Sequence, residues 1–171
     1  VWLVPRAASA EPTHALHDAP APSLGLDSDP EVPVWKLSVT VDPVGIALGR
    51  YGAAIEGAPG DAHALWLTPG WLRQDGIRGL WLEVGYHLLP LGRGVHGPFI
   101  GPLGSVTLGR AGGGRLAAAE VGGEAGYQHV WGGLVVGLAA GAAVRWRWDA
   151  DGQRGSAVIP RVRAVLGWAW M

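Results

Sequence analysis

From residue 34 onward, large apolar residues alternate with small or polar residues along most of the chain. A period of two predicts β-strands with one apolar face. The pattern is clearest near the end of the chain, where every second residue from Leu134 to Trp148 is apolar. Gly141, Arg145 and Arg147 occupy positions of the opposite parity. No helical period competes in this region.

Turn-forming residues divide the alternating region into eight predicted strands. A turn at Asp42–Gly45 separates the first two, whereas one long strand over 36–57 would reduce the count to seven. An even number of strands, each near about 9–11 residues, is typical of single-chain outer-membrane barrels. The sequence therefore predicts an all-β, antiparallel, up-and-down transmembrane β-barrel. Its strands are expected at 34–42, 46–57, 63–72, 80–91, 97–109, 116–129, 134–148 and 158–170.

The composition is apolar without containing a membrane helix. Charged residues make up 16% of the 171 residues, against roughly a quarter in soluble domains. No apolar run reaches the length of about 18 residues that a spanning helix needs. Two classes of protein remain: a soluble domain with a large core, and a barrel whose apolar face meets lipid. The net charge of -1 and the absence of cysteine exclude a strongly basic nucleic-acid-binding protein, a disulfide framework and a thiolate metal site.

The distribution of side-chain size favours the membrane barrel. A lumen of about eight strands is narrow, so we expect small and charged residues inside and large apolar residues outside. Arg145, Arg147, Arg161 and Arg163 should pair with Glu56, Glu83, Glu120 or Glu124 and so plug the lumen. The whole predicted lumen charge network has six basic and five acidic residues: Lys36, Arg50, Arg145, Arg147, Arg161, Arg163, Asp42, Glu56, Glu83, Glu120 and Glu124.

Most tryptophans fall near the ends of the predicted strands. Tryptophan and tyrosine gather at both membrane–water interfaces, and we therefore predict two aromatic girdles. One would contain Trp71, Trp146 and Trp148, and the other Trp35, Trp131, Trp168 and Trp170. Ordinary core aromatics are the alternative.

The first 33 residues differ in composition from the rest of the chain. Ala8-Ser9-Ala10 has the form of a signal-peptidase site, so residues 1–10 are interpreted as a signal-peptide remnant. Residues 3–6 also resemble a protease-tag site. Residues 11–33 contain five prolines, five acids and no Lys or Arg, which predicts a flexible acidic tail. The barrel domain is expected over 34–171.

Two segments carry a family resemblance. Residues 42–51 read DPVGIALGRY and are followed by Ile55-Glu56. They resemble the N-terminal signature of a family of small Gram-negative outer-membrane β-barrels of unassigned function, built like the OmpA/OmpX-like eight-stranded barrels. Ile55 stands where an aromatic is common. Residues 97–102, GPFIGP, are similar to the mid-barrel strand of that family. The resemblance covers about 36–171 and implies no catalytic residues.

The last strand adds an expected partner. Residues 167–171, GWAWM, resemble the terminal signal that presents outer-membrane barrels to the barrel-assembly machinery, with Met171 in place of the usual final aromatic. The other expected partners are outer-membrane lipid and envelope proteins, with no nucleic acid. The expected location is the bacterial outer membrane, with both ends of the barrel chain on the periplasmic side.

Enzymatic chemistry is not predicted. Barrel-type lipid A deacylases use a His-x-Ser pair, in which the histidine activates the hydroxyl. No histidine here is followed two residues later by serine. His87 with Glu83 on one strand face is better explained as a packed interior histidine, and no metal or cofactor is expected. We therefore predict a non-enzymatic barrel with a structural, adhesive or assembly role. A narrow pore or small-ligand carrier is the main alternative, and a soluble binding module is a third.

Overall fold

The computed structural model describes residues 34–74, 76–91, 93–149, 152 and 154–171. The predicted signal-peptide remnant at 1–10 and the predicted acidic tail at 11–33 lie outside these residues. So do Asp75, Gly92, Ala150, Asp151 and Gln153.

The described chain forms an antiparallel barrel. Each strand pairs with its neighbours in the sequence, and β1 pairs with β8 to close the barrel. The prediction of an all-β, eight-stranded antiparallel barrel is confirmed, and the seven-strand alternative is wrong. The strands are β1 (Leu37–Val41), β2 (Arg50–Gly57), β3 (His63–Gln74), β4 (Ile77–Leu88), β5 (Gly97–Ala111), β6 (Gly114–Trp131), β7 (Leu134–Asp149) and β8 (Arg154–Trp170).

Glycine makes two of the connections tight. Gly112 and Gly113 join β5 to β6, and Gly132 and Gly133 join β6 to β7; all four have positive φ. A two-residue hairpin of type I′ requires positive φ at both central residues. These turns fix the register of the longest strands, as in the pairing of Ala111 with Gly114.

The first connection is a helix, where the sequence predicted a simple turn. Helix α1 (Pro43–Ala47) occupies the start of the predicted second strand, and β2 begins only at Arg50. The cause is local, because Asp42 accepts a hydrogen bond from the backbone N–H of Val44 and proline occupies the first turn. Gly49, with φ of 84°, then reverses the chain into β2.

The two rims of the barrel differ. We call the rim where β1 begins and β8 ends the terminal rim, and the rim that carries α1 the helix rim. Only Leu166–Trp170 of β8 pair with β1, so within the described chain the first half of β8 has no strand partner on that side. α1 lies beside this gap, and the Asp42 carboxylate accepts a hydrogen bond of 3.1 Å from the backbone N–H of Ala164.

Candidate functional site

The centre of the lumen is crossed by ion pairs around Arg161. Its guanidinium donates to Glu83 at 2.5 Å and to Glu120 at 2.8 Å. Arg50 reaches the same Glu83 oxygen at 2.9 Å. Arg145 donates to Glu120 through Nε at 2.7 Å. Because Glu83, Glu120 and Arg161 are all buried, each charge depends on its partners for the stabilisation that water would otherwise supply.

A second group of charges surrounds His87, nearer the terminal rim. His87 Nδ1 lies 2.7 Å from Glu56 Oε1, and His87 Nε2 lies 3.1 Å from Glu124 Oε1. A neutral imidazole has one N–H, so only the protonated ring donates to both carboxylates. Arg163 donates to Glu124 at 2.6 Å, and Gln128 donates to Glu56 at 2.7 Å. His87 therefore contacts Glu56 and Glu124, while Glu83, its partner in the sequence-based hypothesis, bonds to Arg50 and Arg161.

Two large aromatic rings also face the lumen, contrary to the expectation that large residues point outward. Trp81 lies against the Arg50 guanidinium at 4.6 Å, and Trp66 lies against that of Arg163 at 4.7 Å. Glycine on the adjacent strand makes the room. A Cβ added to Gly85 would lie 2.4 Å from the Trp66 ring. The lumen is thus filled partly by cation–π stacking, because neighbouring glycines leave space for it.

Apolar side chains close the lumen toward the terminal rim. Leu89 is 2% exposed, and Val95 and Val135 are fully buried. Phe99 packs against His87 with 4.0 Å between ring centroids. The charged groups are therefore separated from the terminal rim by a packed layer. We call this layer the apolar plug: Ala58, Ala64, Leu89, Val95, Phe99, Val130, Val135, Ala139, Val165 and Ala169.

Three members of the predicted lumen charge network lie apart from it. Arg147 pairs with Asp149 at 2.8 Å on the helix rim, where both side chains are partly solvated. The prediction that Arg147 pairs with a glutamate is therefore wrong. Asp42 caps α1 by accepting from the backbone N–H of Val44, and it also accepts from the backbone N–H of Ala164 in β8. Lys36 precedes β1, is exposed, and belongs to none of the ion pairs found among the described residues. The other eight lie together in the lumen: Arg50, Arg145, Arg161, Arg163, Glu56, Glu83, Glu120 and Glu124.

A cavity of about 310 Å³ opens from the charged part of the lumen toward α1. Arg50, Arg145, Arg161 and Arg163 line it, together with the acids Asp42 and Glu83. Its wall includes Leu48 after α1 and Pro160 in the unpaired half of β8, among other residues. The cavity therefore has more basic than acidic residues in its lining and lies beside the gap in the wall.

Every strand exposes apolar side chains on the outer face of the barrel. A large aliphatic side chain is exposed on each of the eight strands: Val39, Ile55, Leu65, Leu80, Leu108, Val121, Leu138 and Val162. These residues share parity with the other outward positions, and the charged lumen residues have the opposite parity. Monomeric soluble proteins rarely expose contiguous apolar patches beyond a few hundred Å².

Six of the seven tryptophans assigned to the girdles are exposed on this outer face. They lie near the two rims: Trp71, Trp146 and Trp148 toward the helix rim, and Trp131, Trp168 and Trp170 toward the terminal rim. Trp35 differs, because it is only half-exposed and packs against the apolar plug. It forms a bridge with Gly94, which brings the segment before β1 against the β4–β5 connection.

Sequence reasoning missed several lumen residues. Gln128, Ser38, Trp66 and Trp81 contact the charged side chains but were left out of the predicted network. Strand parity could have found Gln128, which shares a face with Glu120 and Glu124. The contacts of Trp66 and Trp81 depend on pairing between strands, which one strand's pattern does not contain.

No cluster of three or more metal-ligating side chains occurs among the described residues. In the same part of the chain, no helix is long and apolar enough to span a membrane. Comparisons of the chain with protein-family models, with curated proteins and with solved structures found no match. Function must therefore be inferred from the chain's own geometry.

Proposed function

We propose that this chain is a non-enzymatic, up-and-down transmembrane β-barrel of a bacterial outer membrane, with a structural, adhesive or assembly role and a lumen plugged by its own side chains. One observation carries the proposal: Arg161 and four glutamates are buried inside, while exposed aliphatic side chains occur on all eight strands outside. A soluble barrel has the opposite arrangement. Lipid is the solvent in which an apolar outer face and a charged interior are both stable.

The tryptophan positions and the family resemblance support the same conclusion. Exposed tryptophans lie near both rims, as interface aromatics do. Residues 42–51 resemble the signature of small Gram-negative outer-membrane barrels. In that setting both ends of the barrel lie on the periplasmic side and the barrel-assembly machinery recognises β8.

The packed lumen argues for a structural role over transport. The apolar plug and the two groups of ion pairs follow one another along the barrel, and Arg161 bridges Glu83 and Glu120 across the lumen. Conduction would require breaking buried ion pairs, at a cost of about 3–5 kcal/mol for each uncompensated charge. An enzymatic role gains no support from Ser38, whose hydroxyl donates to Glu56 at 3.4 Å and to no histidine.

A second candidate function, a carrier of a small anion, is favoured by the cavity beside α1. Its charged lining residues are four arginines and two acids, Asp42 and Glu83, which leaves a positive balance. Its volume of about 310 Å³ lies at the lower end of the range for ligand pockets. A carrier would take up its ligand from the helix rim without a path through the apolar plug.

Reconstitution of the purified chain tests the proposal. We expect heat-modifiable migration on gels, insertion into phosphatidylcholine vesicles, and no single-channel conductance in a planar bilayer. The double variant Val135→Gly/Phe99→Ala, which thins the apolar plug, serves as the matched comparison and should conduct more readily than the wild type. A chain that stays in solution without detergent would contradict the membrane assignment. Steady conductance by the wild type would contradict the plugged lumen.

A further inference from the structure

Four arginines form one lateral row on the outer face of the barrel, near the helix rim. Arg73 of β3 lies opposite Arg78 of β4. Arg78 lies opposite Arg110 of β5, and Arg110 lies opposite Arg115 of β6. All four are exposed. Directly opposed residues on antiparallel strands have Cβ atoms about 4.5–5.5 Å apart, so this arginine row concentrates positive charge on a small surface.

The arginine row differs from the arginines of the lumen in its partners. Arg50, Arg161 and Arg163 each contact a buried glutamate within 2.9 Å. None of the ion pairs among the described residues includes a member of the arginine row. Like charges placed directly opposite each other destabilise a sheet. An anion bound from outside would offset this repulsion.

An apolar row lies two residues farther from the helix rim on the same face. Its members are paired laterally in the order Trp71, Leu80, Leu108, Ala117 and Trp148. An open groove of about 870 Å³ spans both rows, and Arg78, Arg110 and Arg115 are among its lining residues. Cationic groups directly beside an apolar strip match an amphiphile with an anionic head and a hydrocarbon tail. A free inorganic anion has no apolar part and would gain nothing from contact with the apolar row.

We propose that the arginine row and the groove beside it bind the phosphate headgroup of a membrane lipid, with an acyl chain lying along Leu80 and Leu108. Guanidinium groups bind phosphate oxygens in a bidentate manner, and exposed tryptophans such as Trp71 and Trp148 are typical of the headgroup level. This inference rests on the proposed insertion into a membrane. It adds a specific lipid site at the helix rim and assigns that rim to the phosphate layer.

Lipid titration of the full chain, folded in neutral detergent and followed by native mass spectrometry, tests the proposal. The probes are dioleoyl phosphatidic acid and dioleoyl phosphatidylcholine. The double variant Arg78→Gln/Arg110→Gln removes the centre of the row, and Arg78→Lys/Arg110→Lys keeps its charge. Arg93→Gln, an exposed arginine before β5, is the matched control.

We expect the double glutamine variant to bind phosphatidic acid about 30-fold more weakly than the wild type, which corresponds to about 1 kcal/mol per arginine. The lysine variant should bind with an affinity between those of the wild type and the glutamine variant, because an ammonium group keeps the charge but not the bidentate geometry of the guanidinium. Arg93→Gln should behave as the wild type. Phosphatidylcholine should bind weakly to all of them. A large excess of inorganic phosphate should leave the lipid bound.

Equal phosphatidic acid binding by the wild type and the double glutamine variant would overturn the proposal, as would a wild type with no preference over phosphatidylcholine. Release of the lipid by inorganic phosphate would also overturn it, because the site would then select a free anion. Insertion of the wild type into phosphatidylcholine vesicles is measured in parallel. If insertion succeeds and the lipid preference is absent, only the lipid site is wrong. If insertion fails, the proposed function is wrong as well.

Discussion

The lumen has two halves that are filled by opposite chemistry. Toward the terminal rim, Leu89, Val95 and Val135 are excluded from solvent and need no partners beyond close packing. Toward the helix rim, Arg161 is also buried but depends on Glu83 and Glu120. Apolar packing tolerates a change of shape better than a buried ion pair tolerates the loss of one charge. The two halves should therefore respond differently to substitution, to salt and to pH.

The largest effect is expected from Arg161→Gln. The substitution leaves Glu83 and Glu120 buried with one fewer cation, and the free energy of unfolding should fall by about 3–5 kcal/mol. Reversible urea unfolding in detergent measures it. The control is Arg147→Gln on the helix rim, where the ion pair is half-exposed, and its cost should stay below about 1 kcal/mol. Equal midpoints for the two variants would show that the lumen charges are hydrated and loosely held.

In the apolar half, Leu89→Ala should cost about 2–4 kcal/mol through lost burial and the cavity that remains. This loss should not change with ionic strength, because no charge is involved. Leu91→Ala provides the control, since Leu91 is 74% exposed and should change the stability by less than about 0.5 kcal/mol. A salt-dependent loss for Leu89→Ala would mean that the plug and the ion pairs do not act independently.

The boundary between the halves can be probed at Gly85. An added Cβ would displace the Trp66 ring that stacks on Arg163, and Gly85→Ala should therefore destabilise the barrel by about 1–3 kcal/mol. At Gly104 a Cβ would have its nearest contact at 3.6 Å. Gly104→Ala should consequently be close to neutral. Thermal unfolding of the two variants measures the difference. Similar melting temperatures for the two variants would show that Trp66 moves at little cost.

The smallest effect concerns His96, in the connection before β5. Its Nδ1 accepts a hydrogen bond of 3.0 Å from the backbone N–H of Val130. Burial, aided by His129 and Arg93, lowers the pKa of His96 below its ordinary value of 6.5. Its stabilising contribution is therefore complete above pH 6.5 and is lost as the pH falls through the lowered value in the folded chain.

His96→Asn keeps a hydrogen-bond acceptor near Val130 and removes the titration. On acidification from neutral pH the wild type should lose more stability than this variant, as measured by urea unfolding at each pH. Parallel pH profiles would show that His96 is protonated as readily in the folded chain as in the unfolded one.

Alternation along single strands predicted most of the fold and the identity of many lumen charges. Arg161, Arg163, Glu120 and Glu124 could be assigned to one face because side chains of a strand point to opposite faces in turn. Their partners could not be assigned, because pairing depends on the stagger between strands. Arg147 shows this limit. It lies on the same strand face as Arg145, but its position along the barrel axis places it at the rim beside Asp149.

The alternation of apolar and polar residues also could not show which charged side chains bind backbone N–H groups instead of other charges. Asp42 was expected among the lumen charges, yet it caps α1 and binds the backbone of β8. The arginine row was missed for a related reason. Its members come from four strands, and only the register between these strands places them side by side.

The central claim is that the apolar outer face meets lipid while the buried charges face the lumen, and nitroxide accessibility along β7 tests it most directly. The chain contains no cysteine, so single cysteines at the outward positions Leu134, Leu138, Ala142 and Trp146 can be spin-labelled without disturbing the lumen. In phosphatidylcholine vesicles, collision with oxygen relative to a water-soluble nickel chelate should be highest at Leu138 and Ala142 and lower toward Leu134 and Trp146. A profile in which all four labels collide freely with the nickel chelate would contradict the account, because the apolar face would then lie in water.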